Sequence, residues 1–97
     1  MSKTPEKAVK DRVKKLLETS HAYFFMPIGG MFSQAGIPDI VCCVEGKFLA
    51  VECKAGHNKP TALQDRELQR IRDAGGTALV INEENIDVLK AWLGENE

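Results

Sequence analysis

A chain of 97 residues with 43% hydrophobic and 28% charged side chains has the composition of one small globular domain spanning 1–97, with no room for a second core. No run approaches the roughly 18 apolar residues that a membrane span requires, and the Lys-rich, polar first residues lack an apolar signal core, so a cytoplasmic protein is expected. The formal net charge of −1 excludes a uniformly basic surface, so a nucleic-acid partner would have to be met by a local patch. Three cysteines without CxxC or HxxxH spacing argue against structural zinc and read as reduced, buried, small apolar residues.

Thr4-Pro5-Glu6 reads as a helix start, with Thr4 as N-cap and proline in the first helical position. Val9, Val13, Leu16 and Leu17 recur at helical spacing, which predicts an amphipathic helix to about Ser20. Residues 1–15 hold six basic side chains against Glu6 and Asp11, whereas 83–97 hold five acidic ones against Lys90. The first helix is therefore the candidate phosphate-binding face, through Lys7, Lys10 and Lys14, although charge alone fits a solvated helix face equally well. Glu6 lies on the core-facing side, one turn before the apolar stripe, where it serves either the helix dipole or a bound cation. A strand over 22–26 ends at Pro27. The Gly-rich stretch 28–36 follows, with Gly29 and Gly30 as candidates for substrate contact.

Residues 40–44 and 48–51 are rich in β-branched and apolar side chains and flank Glu45-Gly46, which predicts a hairpin with a two-residue turn. Pairing Val44 with Lys47 sets Asp39 opposite Glu52, and alternation puts Lys54 on the same side. A three-residue loop with a bulge would instead slip Asp39 opposite Val51 or Cys53. In the unslipped register the two carboxylates stand about 5 Å apart at Cβ and repel unless a cation lies between them. Three convergent charges at the end of otherwise apolar strands point to a metal site with a lysine beside it, rather than to a salt-bridged strand end.

The loop 55–60, with Lys59 as a further candidate for phosphate contact, leads to a helix that starts at Thr61 and ends at Gly75-Gly76. Thr61 with Gln64 matches a capping box. Residues 77–81 form a buried strand, and Asn82 or Glu83 opens a last helix with Ile86, Leu89 and Leu93 on one face and Trp92 adjoining. Strand, helix, strand over 48–81 implies a right-handed parallel crossover, which puts Gln64 at the strand end that carries Glu52 and Lys54.

Pro38-Asp39 followed by Glu52-Cys53-Lys54 resembles the PD-(D/E)xK signature of the restriction-endonuclease-like nucleases. The Gly-Ile-Pro-Asp, Val-Glu-Cys-Lys and Thr-Ala-Leu-Gln segments resemble its VRR-NUC branch, in the stand-alone form found in bacteria and their phages. The resemblance runs from Glu6 to Gly75-Gly76. It implies an α/β restriction-endonuclease-like core, a small mixed sheet flanked by helices in the order α-β-β-β-α-β-α. It also implies DNA hydrolysis dependent on Mg²⁺ or Mn²⁺, with Asp39, Glu52 and the backbone carbonyl of Cys53 as ligands and Glu6 as an additional acid. Lys54 would act on the attacking water or the developing charge, and Gln64 would be an active-site residue in competition with its capping role. A homodimer that resolves four-way, Holliday-type junctions by paired nicks is the expected assembly, with Phe24, Phe32 or Trp92 available for the partner. The alternatives are a nuclease acting on flaps, ends or linear duplex, and a non-catalytic module of the same fold that binds branched DNA.

Overall fold

The computed structural model describes residues 4–28 and 35–95. Its elements run α1 (Pro5–Thr19), β1 (Tyr23–Phe25), β2 (Ile40–Val44), β3 (Lys47–Cys53), α2 (Ala62–Asp73), β4 (Thr77–Ile81) and α3 (Ile86–Glu95). The four strands form one sheet in the order β1-β2-β3-β4, antiparallel except for the parallel pair β3 and β4. No helix among the described residues is long and apolar enough to cross a membrane. Gly29, Gly30 and Phe32 lie outside the described residues.

Local chemistry accounts for each element. The Thr4 hydroxyl accepts from the Lys7 N–H at 3.2 Å and Pro5 occupies the first turn, which satisfies an orphan donor and fixes where α1 begins. Val9, Val13 and Leu17, four residues apart, are all buried. In the hairpin, Glu45 and Gly46 both take positive φ, 50° and 77°, the backbone of a type I′ turn. Glutamate is an unfavourable occupant there, yet the turn is the two-residue one, and Val44 pairs with Lys47. Across the parallel crossover, Cys53 pairs with Ile81 and the Lys54 N–H donates to the Ile81 carbonyl at 3.0 Å.

The sheet has two unlike faces. On one, Ile40, Cys42, Val44, Leu49, Val51, Cys53 and Ile81 pack against Val9, Val13 and Leu17 of α1 and Ile86, Leu89 and Leu93 of α3. Phe24 and Trp92 pack half-buried against this core, so they are not the apolar residues left for a partner. On the other face α2 lies over β4, and no described helix covers the β1–β2 half. Tyr23 and Phe25 are 74% and 51% exposed there, beside Phe48 at 44%. Cys43, expected to be buried like Cys42 and Cys53, is exposed, because alternation turns it to the uncovered face.

Gly36 fixes the approach to Asp39. Its φ is +82°, and a Cβ built on it would lie 2.5 Å from the backbone carbonyl group of Leu63. The chain before Asp39 is thereby pressed against the first turn of α2. Gly46, at φ +77°, has nothing within 4 Å of such a Cβ. Gly46→Ala is therefore expected to cost only the left-handed strain, about 1–2 kcal/mol, and Gly36→Ala distinctly more, because backbone must also move. Urea unfolding of the two variants checks this, and equal losses would mean that the contact with α2 is not tight.

Candidate active site

Asp39 just before β2, Glu52 in β3 and Lys54 just after it, the candidate reactive groups, lie at one end of the sheet. The register that pairs Ile40 with Val51, carried one step further, sets Asp39 across from Glu52. Both belong to the face that holds α2 and the uncovered aromatic residues. Asp39 is tied to the neighbouring strand by a hydrogen bond from the Cys53 N–H to its Oδ2, at 2.8 Å. Its other oxygen, Oδ1, lies 3.6 Å from Lys10 Nζ. Glu52 is 2% exposed. Its Oε2 lies 3.6 Å from Lys54 Nζ, and its Oε1 is buried without a hydrogen-bond partner.

A buried carboxylate oxygen with no donor is costly, because it has lost water and gained nothing in return. Burial, and after it the neighbouring Asp39 charge, raise the Glu52 pKa from 4.5 to about 7, with Lys54 opposing the rise. At neutral pH Glu52 is therefore partly protonated. A divalent cation relieves both problems, since it supplies a partner for the orphan oxygen and cancels the repulsion. The donor set is hard oxygen, which suits Mg²⁺ or Mn²⁺. Among the described residues no three His, Cys, Asp or Glu side chains come close enough to hold an ion by themselves. The side-chain ligands number two, which suits an ion that keeps several waters.

The remaining candidates fall at graded distances. Glu6 meets Lys10 Nζ at 3.7 Å, and Lys10 stands between Glu6 and Asp39. Gln64 forms the complete capping box: its Oε1 accepts from the Thr61 N–H at 2.9 Å and its own N–H donates to the Thr61 hydroxyl at 3.2 Å. Its carbonyl oxygen is thus engaged in the cap. Lys7, Lys10 and Lys14 line one hollow of about 370 Å³ with Glu6 and Met26. Lys59 is exposed on the loop after Lys54. A larger hollow, of about 480 Å³, lies by Phe48, Glu67, Arg70 and Ile71, at the opposite end of β3 from Glu52. It holds no convergent acid pair, since Arg66 and Arg70 both bind Glu67. The contact of Lys10 with Asp39 was not foreseen. Its four-residue spacing from Glu6 was the only sequence signal for it.

Comparison with known proteins bears on this geometry. No family model matches the chain. It is 34% identical over 82 residues to "Putative nuclease p44" of Acyrthosiphon pisum secondary endosymbiont phage 1, covering 84% of this chain and 82% of the relative. A solved structure described as a VRR_NUC domain superposes with a TM-score of 0.76 at 24% identity, covering 92% of this chain and 97% of the other.

The raised Glu52 pKa has a consequence for stability with a definite sign. A carboxyl whose folded value lies above its unfolded one stabilises the fold while protonated, and that contribution is lost as pH rises from about 4.5 through about 7. The metal-free protein is expected to lose about 3 kcal/mol between mildly acidic and mildly basic pH from this group. Glu52→Gln should remove most of the slope and be the more stable protein at pH 8. Denaturant unfolding in EDTA at the two pH values reads this, and a slope unchanged by the substitution would place the titration elsewhere.

Proposed function

This chain belongs to the family of the phage protein described as "Putative nuclease p44" and has the fold of a VRR_NUC domain, and from that premise we propose that it is a metal-dependent DNA endonuclease of the VRR-NUC branch of the PD-(D/E)xK nucleases, selective for branched substrates. The observation that carries the metal reading is the buried, unpartnered Oε1 of Glu52 on the face it shares with Asp39. Asp39, Glu52 and the backbone carbonyl of Cys53 would hold the ion. Bound there, Mg²⁺ or Mn²⁺ supplies charge to the scissile phosphate and acidity to the attacking water.

The protein's own groups have separable tasks. The Cys53 N–H keeps Asp39 turned toward β3, so that one oxygen is fixed and the other is free to ligate. Lys54, held beside Glu52 by strand alternation, neutralises charge that develops on the phosphate, where a preorganised cation is worth most. Glu6 and the NH₂ of Gln64 orient the ligand shell from the two flanking helices. Lys7, Lys10 and Lys14, with Lys59, would follow the phosphate backbone of the substrate. A non-catalytic module of the same fold would have no use for an intact set of Asp39, Glu52 and Lys54, which disfavours that reading.

Assembly follows from the sheet's uncovered face. An aromatic surface containing Tyr23, Phe25 and Phe48 on a domain this small is suited to burial against a second copy. Two copies related by a two-fold axis would place two such sites on the two strands of a four-way junction. A monomer acting on flaps, ends or linear duplex is the competing picture.

Cleavage is expected in Mg²⁺ or Mn²⁺ and not in excess EDTA, and Asp39→Asn and Glu52→Gln should each abolish it without unfolding the protein. Lys54→Ala should slow the reaction by about 10²–10³-fold, with Lys54→Arg no milder, since a planar guanidinium does not replace a compact ammonium. Light scattering followed by cleavage of junction and linear duplex at matched salt tests the finer reading. A monomer, or equal rates on both substrates, would remove the junction reading and leave the nuclease reading in place.

A further inference from the structure

Lys10 sits on α1 four residues after Glu6, a spacing that by itself makes an ordinary helix-surface ion pair. The lysine does more than that. Its ammonium lies 3.7 Å from Glu6 Oε2 and also 3.6 Å from Asp39 Oδ1, so it bridges from the helix to the reactive end of β2. The Asp39 oxygen it meets is the one not held by the Cys53 N–H, which is the oxygen open to a cation. Lys54 stands in the corresponding place on Glu52, so each carboxylate of the pair has one lysine.

The two lysines differ in freedom. The Lys54 side chain is 14% exposed and is carried by residues flanking β3, whereas the Lys10 side chain is 32% exposed and lines the open hollow shared with Lys7 and Lys14. A flexible four-carbon stem beside an open hollow, lined by three lysines against Glu6 and Asp11, can turn from Asp39 toward a phosphate without moving the helix.

We propose that Lys10 is a mobile counter-charge that holds the cation's place on Asp39 Oδ1 until a divalent ion binds, and then turns to a phosphate of the bound strand, so that metal and DNA each favour the binding of the other. The proposal rests on the metal-dependent nuclease reading above. Its thermodynamic content is reciprocal: metal releases Lys10 for DNA, and DNA draws Lys10 off Asp39, by the same factor.

Three proteins test it: wild type, Lys10→Met, which keeps the apolar stem, and Lys10→Arg, which keeps the charge. Mn²⁺ titrated calorimetrically into DNA-free protein should bind Lys10→Met about fivefold more tightly than wild type, because the competing ammonium is gone. Junction binding measured against salt in Ca²⁺ should show a log–log slope shallower by about 0.9 in Lys10→Met, with Lys10→Arg restoring it, and a distinctly smaller difference between the proteins in EDTA, where Asp39 competes for the lysine. Equal or weaker Mn²⁺ binding by Lys10→Met overturns the proposal, and so does a slope change of the same size in EDTA, which would make Lys10 a fixed phosphate contact. Absence of Mn²⁺ binding in all three proteins would overturn the metal reading itself and this proposal with it.

Discussion

The constraint on which the site depends is the register of one hairpin. The turn at Glu45-Gly46 fixes Val44 against Lys47, and every later pair follows to Ile40 against Val51, one step before Asp39 and Glu52. A slip of one residue would send Asp39 to the opposite face from Glu52, because side-chain direction alternates. The protein secures this register even though Glu45 occupies a left-handed position at a cost of about 1–2 kcal/mol. The buried faces of Leu49 and Val51 against Ile40 and Cys42 offset that cost, since a slipped strand would expose them.

Placing two carboxylates together at one end of the sheet is unfavourable for the metal-free fold, and the surroundings show how the cost is contained. Cys53 donates its backbone N–H to Asp39, Lys10 and Lys54 each take one carboxylate, and the residual repulsion is absorbed by protonation, with the Glu52 pKa near 7. One oxygen is still left without a partner. Unsatisfied buried groups and perturbed titration concentrate where function requires them, and here they coincide on one side chain. The same end of the sheet receives the start of α2, because Gly36 allows the loop before Asp39 to touch Leu63. That contact brings the Gln64 backbone beside Gly36, while its side-chain oxygen is committed to the helix cap.

Elements with strong local signals were legible in the sequence. Thr4-Pro5 and Thr61 through Gln64 are self-contained capping motifs. The periodicity of Val9, Val13 and Leu17 needs nothing beyond helical geometry, and the element order and sheet class followed from them. The closeness of Asp39, Glu52 and Lys54 was readable because strand alternation is a simple rule once a turn is assumed. The turn itself was less secure, since glutamate disfavours positive φ and only the packing of both strands decides between a two-residue and a bulged loop. Exposure of Cys43, Tyr23 and Phe25 was not readable at all. It depends on α2 lying over β4 while no described helix lies over the β1–β2 half of the sheet, a tertiary choice that no local pattern records. For the same reason Phe24 and Trp92 looked available to a partner but pack on the core. Lys10 read as one of several surface lysines, and only the approach of α1 to the end of β2 distinguishes it.

The central claim is that the Asp39–Glu52 pair is built around a divalent cation, and ligand-linked stability tests it most directly. An ion that binds only the folded protein raises its unfolding free energy by about 2.7 kcal/mol at a hundredfold excess over Kd. Thermal melts at constant pH across a Mn²⁺ series should therefore show the wild-type midpoint climbing steadily while Glu52→Gln stays at its metal-free value. A wild-type midpoint indifferent to Mn²⁺, or a variant that climbs equally, would contradict the account.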